Sequence, residues 1–539
     1  MPPSTIPTKL LLQKNMASSN HKKKDRLLRW FKKYHKWPGI IFALFILLFA
    51  VSGIIMNHRS LFSSMDLNRK WLPGNYKYNN WNTAALKSVE KISSDSLLVY
   101  GNIGVWKTDS LLNSFSDFNK GFPKGIDNRR IYSLLSTRNN RLFAGTLFGL
   151  YEYDTEWKKI ALPVKEKRIV KIIEKNDSLL VLTRSGLLVA NTNAKTLVFS
   201  KINVLPGEDS DNKVSLFRTV WVIHSGEIYG IAGKLLVDLV GLIFIFVTLS
   251  GLFYWLAPHL LKRVQASAKS RIKRINRFSL TWHNRLGYWS ILILLLTTTT
   301  GMFLRPPLLI AIGNSEVNKL KHSKLDDPNP WDDKFRDLLF DETLNRFVVA
   351  TSDGIYYSDD QFGSILRKYR VQPPVSIMGI NVFEKISTGE YLVGSFSGIY
   401  KWIPEQGIVI DYFTKLPLNQ GSASGSPFGA ISVSGLITKP NGHQYLFDYA
   451  AGAIPMGDSE SFAAMTDEVI KSSPISLWNT SQEIHTGRIW EFIAGPFYIL
   501  VVPLTGLASV LILITGFFAW WIPYRRKAKN NTPVFEDGV

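Results

Sequence analysis

Four apolar runs, at 37–56, 235–256, 287–304 and 493–522, dominate what this chain can fold into. Each is about long enough, at about 1.5 Å per residue, to cross roughly 30 Å of hydrocarbon. Inside a bilayer every backbone amide must be satisfied within its own segment, so the runs are read as helices. The third is the shortest, and Thr297 to Thr300 within it can return their hydroxyls to carbonyls of their own turn or to a neighbouring helix. No small-residue cleavage site follows the first run, which is therefore read as an anchor. The 24 residues at the N-terminal end are polar and are expected to be disordered.

The net charge of +22 raises nucleic acid as a partner, but its distribution argues against that class. Residues 1–38 hold ten Lys/Arg against one acid, and 258–288 hold eight against none. With Arg525, Arg526, Lys527 and Lys529 set against Glu536 and Asp537, these stretches supply 19 of the 22 surplus charges. All fall on one side of a four-span topology, the positive-inside pattern, so both termini and the central loop are expected in the cytoplasm. Anionic lipid headgroups are the partners such arms suit. With no cysteine, the chain has no disulfide, no thiolate cluster and no covalent haem attachment.

The expected organisation follows. A basic segment (1–36) leads into a first span (37–57) and a β-rich insert (58–217). An outer interfacial segment with the second span covers 218–257, and a basic loop covers 258–285. A third span (286–304), a second β-rich insert (305–484), an interfacial segment with the fourth span (485–523) and a tail (524–539) complete the chain. Both inserts repeat one pattern: an apolar run, a turn with glycine, then aliphatic or aromatic residues. It recurs at 98–108, 141–154, 179–192, 346–359 and 390–403, with a degenerate copy at 443–456. Strand, glycine turn and strand at a spacing of about 40 residues is how propeller blades look in sequence. Three copies per insert predict one composite propeller of about six blades or two half-rings, with hairpins of an ordinary sandwich as the alternative. The first insert is net basic and the second net acidic, which favours their docking on each other or an electropositive face for an anion.

The spans also pair off. His35 is followed by Gly39 and, 18 residues on, by Gly53; His283 is followed by Gly287 and, again 18 on, by Gly301. The second and fourth spans are introduced by His224-Ser225-Gly226 and His485-Thr486-Gly487. Four histidines in duplicated register, without cysteine, suggest non-covalent haem between helices, one pair toward each leaflet. A lone interfacial histidine is as readily an amphipathic anchor; the duplicated set is what favours a cofactor. His58 and His259 are substitutes if this pairing fails, whereas His21, His322 and His443 sit in polar sequence and are expected to be solvated. Each span carries a small hydroxyl followed by glycine: Ser52-Gly53, Ser250-Gly251, Thr300-Gly301 and Thr515-Gly516. Such steps let a helix or a flat macrocycle approach, and Gly53, Gly226, Gly301 and Gly487 are candidates for packing on haem. Arg218 and Arg488 are candidate propionate partners, with headgroup contact as the alternative. Asp238 is expected to be neutralised by Lys234 four residues earlier, its other reading being a proton or propionate contact.

The stretches KYHKWPGIIFALFILLFAVSGI, RTVWVIHSGEIYGIAGKLLVDLVGLIFIFVTLSGLFYWL and IHTGRIWEFIAGPFYILVVPLTGLASVLILITGFFAWW resemble the PepSY-associated transmembrane family. The H-x-x-x-G openings, the H-[ST]-G openings and the terminal [ST]-G steps carry the resemblance. It implies a four-helix bundle of two duplicated helix pairs, two haem b groups on His35, His224, His283 and His485, and reduction of ferric iron, held by a siderophore or similar chelate, at the periplasmic face of a bacterial inner membrane. The repeat-bearing inserts depart from that family's small α+β modules, and Trp490 and Glu491 replace Tyr229 and Gly230, so the two pockets would differ. No nucleotide or flavin motif is visible, so the electron donor is expected to be a cytoplasmic protein or a membrane quinol. The competing expectation is a non-enzymatic membrane sensor or assembly protein whose exterior binds a ligand or partner.

Overall fold

The computed structural model describes the backbone of residues 8–313, 315–376, 379–418 and 429–530, and within these the side chains from 24 to 525. Tail residues Glu536 and Asp537, and the side chains of His21, Arg526, Lys527 and Lys529, lie outside the described residues. The chain divides into two compact units. One comprises 1–58, 212–326 and 481–539; the other comprises 59–211 and 327–480.

The first unit is helical. Among the described residues, three helices are long and apolar enough to cross a membrane: Lys24–Asn57, Glu227–Arg263 and Arg488–Arg525. A fourth crossing exists only if Ala266–Trp289 and Ile291–Phe303, bent by 70° at their junction, count as one broken span. The helix preceding the bend carries most of the central basic stretch. At the junction Ser290 Oγ donates to Leu286 O at 2.5 Å. The expected threonine pattern is present: Thr298 donates to Leu294 O and Thr300 to Leu296 O. The first helix begins at Thr8, inside the stretch expected to be disordered, and runs unbroken to Asn57 through Pro38. It packs against Gly230–Arg263 and Val501–Asn530, and Ile291–Phe303 packs against the latter and against Leu216–Ser225.

Among the described residues the second unit holds six antiparallel sheets of consecutive strands, five of four strands and the last of three, and a two-stranded pair of Asp66–Leu67 with Ile475–Ser476. Every repeat copy noted in the sequence is a hairpin of one sheet, central in the five four-stranded sheets, for example Leu142–Thr146 with Gly149–Tyr153, or Glu390–Ser395 with Gly398–Ile403, and last in the three-stranded one. In every hairpin but the third, where Gly186 is the exception, the glycine after the turn has positive φ: 152° at Gly149 and 129° at Gly398, for example. Alternation along the strands then makes two apolar faces per sheet. In the first sheet Leu98 and Tyr100 pack with Ile131 and Leu134 of the second, whereas Leu97 and Val99 pack with Tyr445 and Phe447 of the sixth. Equivalent clusters join second to third, third to fourth, fourth to fifth and fifth to sixth. Both inserts therefore share one unit, and their opposite charges meet in the Lys171–Asp337 and Arg184–Asp333 ion pairs, while Lys368–Asp209 runs with the signs reversed. Trp81, Trp106, Trp157 and Trp402 are fully buried between sheets. Each large aromatic buried this way hides about 150–250 Å², worth about 4–6 kcal/mol at roughly 25 cal/mol per Å².

Candidate functional site: two imidazole pairs

The four duplicated histidines come together in two pairs inside the helical unit. The His35 and His283 rings lie 5.9 Å apart between centroids, and His224 and His485 lie 6.0 Å apart. Two metal–imidazole bonds of about 2 Å each, plus roughly 1 Å from nitrogen to centre in each ring, would separate ring centres by about 6 Å. Each pair has the separation that one shared metal requires.

The same construction holds each ring. His35 Nδ1 lies 2.9 Å from Ile512 O, His283 Nδ1 2.9 Å from Val247 O, His224 Nδ1 3.0 Å from Thr297 O, and His485 Nδ1 3.0 Å from Phe49 O. A carbonyl can only accept, so Nδ1 carries the proton and Nε2 keeps its lone pair for a metal. Each accepting carbonyl stands three residues before the small hydroxyl of a Ser/Thr-Gly step. The hydroxyl adds its own contact in three cases: Ser52 with His485 at 3.1 Å, Ser250 with His283 at 3.2 Å and Thr300 with His224 at 3.3 Å.

The glycine completes the seat. A Cβ on Gly516 would stand 2.7 Å from His35 Cε1, and one on Gly301 2.7 Å from His224 Cε1. The corresponding distances are 3.1 Å for Gly53 to His485 and 3.2 Å for Gly251 to His283. Gly53 and Gly301 thus seat an imidazole, and Gly251 and Gly516 belong to the same set. Gly226 and Gly487 have a different task. Gly226 terminates Leu216–Ser225 with φ 76°, and Gly487 follows Leu477–His485 with φ 74°. Their left-handed backbone ends each helix just past its histidine.

The substitutes stand elsewhere. His58 Nε2 contacts Asp238 Oδ2 at 2.6 Å, and Asn57 donates to the other carboxylate oxygen at 3.0 Å. Lys234 instead faces Glu227 at 3.9 Å, so the expected Lys234–Asp238 pair is replaced because the first helix brings its own polar end against Asp238. His259 and His322 are exposed, the former against Trp255, and His443 is half-buried.

Among the arginines, Arg488 is held bidentately by Glu483, with both bonds 2.7 Å. Arg218 lies in the first turn of Leu216–Ser225, where its backbone N–H donates to the capping Ser215 Oγ. Sequence reading missed Arg305, which ends the third apolar run. It bonds the Tyr498 hydroxyl, neighbours Glu483 and Arg488, and lies in electrostatic reach of His485. Its Nε and the indole Nε1 of Trp490 are buried without an acceptor. A lone arginine closing an apolar run was the available signal. Among the described residues, no three or more His, Asp or Glu are grouped so that they could hold a metal ion.

The PepSY-associated TM region family matches residues 10–258 and 203–522, nearly the whole chain. The chain belongs to that family. No curated protein matches this PepSY-associated TM chain. Among solved structures it is similar to the extracellular domain of the putative one component system BT4673 from B. thetaiotaomicron, at 9% identity and a TM-score of 0.34. That likeness covers 71% of this chain and 32% of the other. PorZ of the type-IX secretion system of Porphyromonas gingivalis gives 11% identity and a TM-score of 0.31, covering 72% and 40%. YCF48 bound to D1 peptide gives 9% identity and 0.29, covering 71% and 96%. The chain spans about a third of the length of the first of these.

Proposed function

We propose that this PepSY-associated TM protein is a haem-binding membrane oxidoreductase that carries electrons across a bacterial inner membrane to a ferric chelate. The observation behind the reading is the pairing of four imidazoles at ring separations of 5.9 and 6.0 Å, each with Nδ1 tied to a carbonyl. The residues present fit a haem at each pair, with two free Nε2 atoms and glycine seats; Phe49 also stands 5.9 Å from His485, and Arg305 and Trp490 hold buried donors for an acidic edge. When bound, haem supplies one-electron transfer, its potential set by axial ligands and their outer partners. The protein's own work is to fix the tautomer and to aim each ring. Arg305 and Trp490 offer the donors a propionate needs, whereas Arg488 is already neutralised by Glu483.

In this reading the helices form a four-span bundle with His35 and His283 near the basic, cytoplasmic side and His224 and His485 toward the periplasm. The six sheets are six blades of one composite propeller outside the membrane, and the donor is a quinol or a cytoplasmic protein. One observation favours the second reading, a sensor or assembly protein: more than half the chain, 59–211 and 327–480, lies in a unit without any of the paired imidazoles.

An absorption spectrum of the detergent-purified protein decides between them. A Soret band near two haems per chain, with sharp bands on dithionite reduction, supports the first reading. A colourless preparation after haem reconstitution overturns it and leaves the second.

A further inference from the structure

In the six-sheet unit the first strand of each sheet neighbours the first strands of the sheets on either side, so these strands face the middle of the unit. Three cations collect where the first three of them begin. Lys87 immediately precedes Ser88–Lys91, Arg130 precedes Ile131–Ser136, and Arg168 precedes Ile169–Lys175. All three converge on one ring: Lys87 Nζ lies 6.0 Å, Arg130 Cζ 5.6 Å and Arg168 Cζ 5.2 Å from the centre of Tyr132. Arg168 Nη2 also donates to the Tyr132 hydroxyl at 3.2 Å.

This positive charge is not balanced from within. Neither Lys87 nor Arg130 makes an ion pair among the described residues, and the Nε groups of both Arg130 and Arg168 are buried without an acceptor. The carboxylates nearby have other partners: Asp127 takes Arg59 at 2.8 Å, Asp333 takes Arg184 at 2.9 Å, and Asp337 takes Lys171 at 3.5 Å. Cation–π attraction to one ring is worth about 0.5–2 kcal/mol, which does not replace the hydrogen bonds that two guanidinium groups lose on burial. Lys87, Arg130, Tyr132 and Arg168 nevertheless keep some accessible surface. Their missing partner can arrive from solvent.

We propose that Lys87, Arg130 and Arg168, grouped around Tyr132, form a binding site for a small oxyanion ligand bearing carboxylate or phosphate groups. Two guanidinium forks suit two oxygens each, and the ammonium adds a point charge. The Tyr132 hydroxyl accepts from Arg168 and offers its own proton to the ligand. The site uses none of the paired histidines and stands independently of the haem reading.

Tyr132 gives the site a pH signature. Burial opposes ionisation of its phenol, but Arg130, Arg168 and Arg59 outweigh burial and bring it down to about 7. Lys87 adds to them, while Asp333 and Glu166 lie in reach of Arg168, and Asp337 and Lys171 in reach of Lys87. Above pH 7 the phenolate supplies negative charge of its own and competes with the ligand. Below it, the cations face the ligand alone.

The test is calorimetric titration of the full chain in detergent with inorganic phosphate, citrate and ferric citrate at pH 6 and pH 8. Binding is expected to be tighter at pH 6, and the preferred anion separates a phosphate ligand from a carboxylate chelate. R168Q and R130Q should each weaken it by about tenfold or more, as loss of a charge-assisted hydrogen bond does. R130K should restore much of it, and K158Q, on an exposed outer strand, should change nothing. K87M repeats the test should an arginine variant fail to fold. The same titrations on H35A/H485A, expected to match the parent, separate failure here from failure of the haem reading. Absence of binding at millimolar phosphate and citrate overturns the proposal. So do folded R130Q and R168Q variants that bind like the parent.

Discussion

The four glycine seats are unequal, and that inequality predicts a graded result. Replacing Gly516 by alanine puts a Cβ 2.7 Å from both Cε1 and Nδ1 of His35. Carbon contacts settle at about 3.5–4.0 Å, so the imidazole must retreat by about 0.8 Å or more. Its 2.9 Å bond to Ile512 O then stretches past hydrogen-bond range. Loss of such an outer partner typically lowers metal affinity about 10–100-fold, or about 1.4–2.7 kcal/mol. Alanine is itself the better helix former by about 1 kcal/mol, so a damaged helix cannot explain the outcome. Gly301→Ala makes the same clash with His224, whereas Gly53→Ala and Gly251→Ala meet their rings at 3.1 and 3.2 Å and need only a few tenths of an ångström. Haem per chain, measured as the pyridine haemochrome, should fall from about two toward one in G516A and in G301A and stay near two in G53A and G251A. Full haem with an unshifted spectrum in G516A, or equal losses in all four variants, would refute the seat argument.

Three further outcomes are expected. Single replacement of His224 or His485 by alanine should remove about half the haem, while His21→Ala leaves the Soret intensity unchanged. Tyrosinate absorbance should titrate one phenol near pH 7, absent in Y132F; between pH 7 and 10 the unfolded chain holds a proton the folded chain has released, so stability should gain with rising pH across that window, and denaturant midpoints that ignore Y132F contradict it. Asp238→Ala should cost about 1–3 kcal/mol by stripping the partners from His58 and Asn57, and H58A with D238A should cost less than the sum of the two, as thermal melts of the single and double variants will report.

Much of this arrangement could be read from residue order. Apolar length gave the crossing helices, and the interval of 18 residues between His35 and Gly53, matched by His283 and Gly301, marked the duplication. The repeat glycines marked one hairpin of every sheet, because in all but the third, where Gly186 differs, the strand-turn-strand step places a residue of positive φ at one fixed position. What stayed hidden depends on the third dimension. The Ser/Thr-Gly steps were visible, but that each would seat the histidine of a different helix, through a carbonyl three residues earlier, is a backbone contact without a sequence signal. Asp238 was matched to Lys234 because helical spacing is local, and the actual partner, His58, is 180 residues away. The bend after Trp289 was missed since an apolar count takes no account of direction, and the last strands of the four-stranded sheets, two to four residues each, are too short for a period to show.

The sheets of the second unit come from two separated stretches of chain, three from 59–211 and three from 327–480, and the joins between third and fourth and between sixth and first bridge them. The half synthesised first therefore waits, with two apolar flanks uncovered, while the mainly helical stretch 212–326 is made and placed. Biogenesis of this protein should accordingly lean on a holding chaperone at that stage, and chains truncated after residue 326 should be sticky even though each finished sheet is sound.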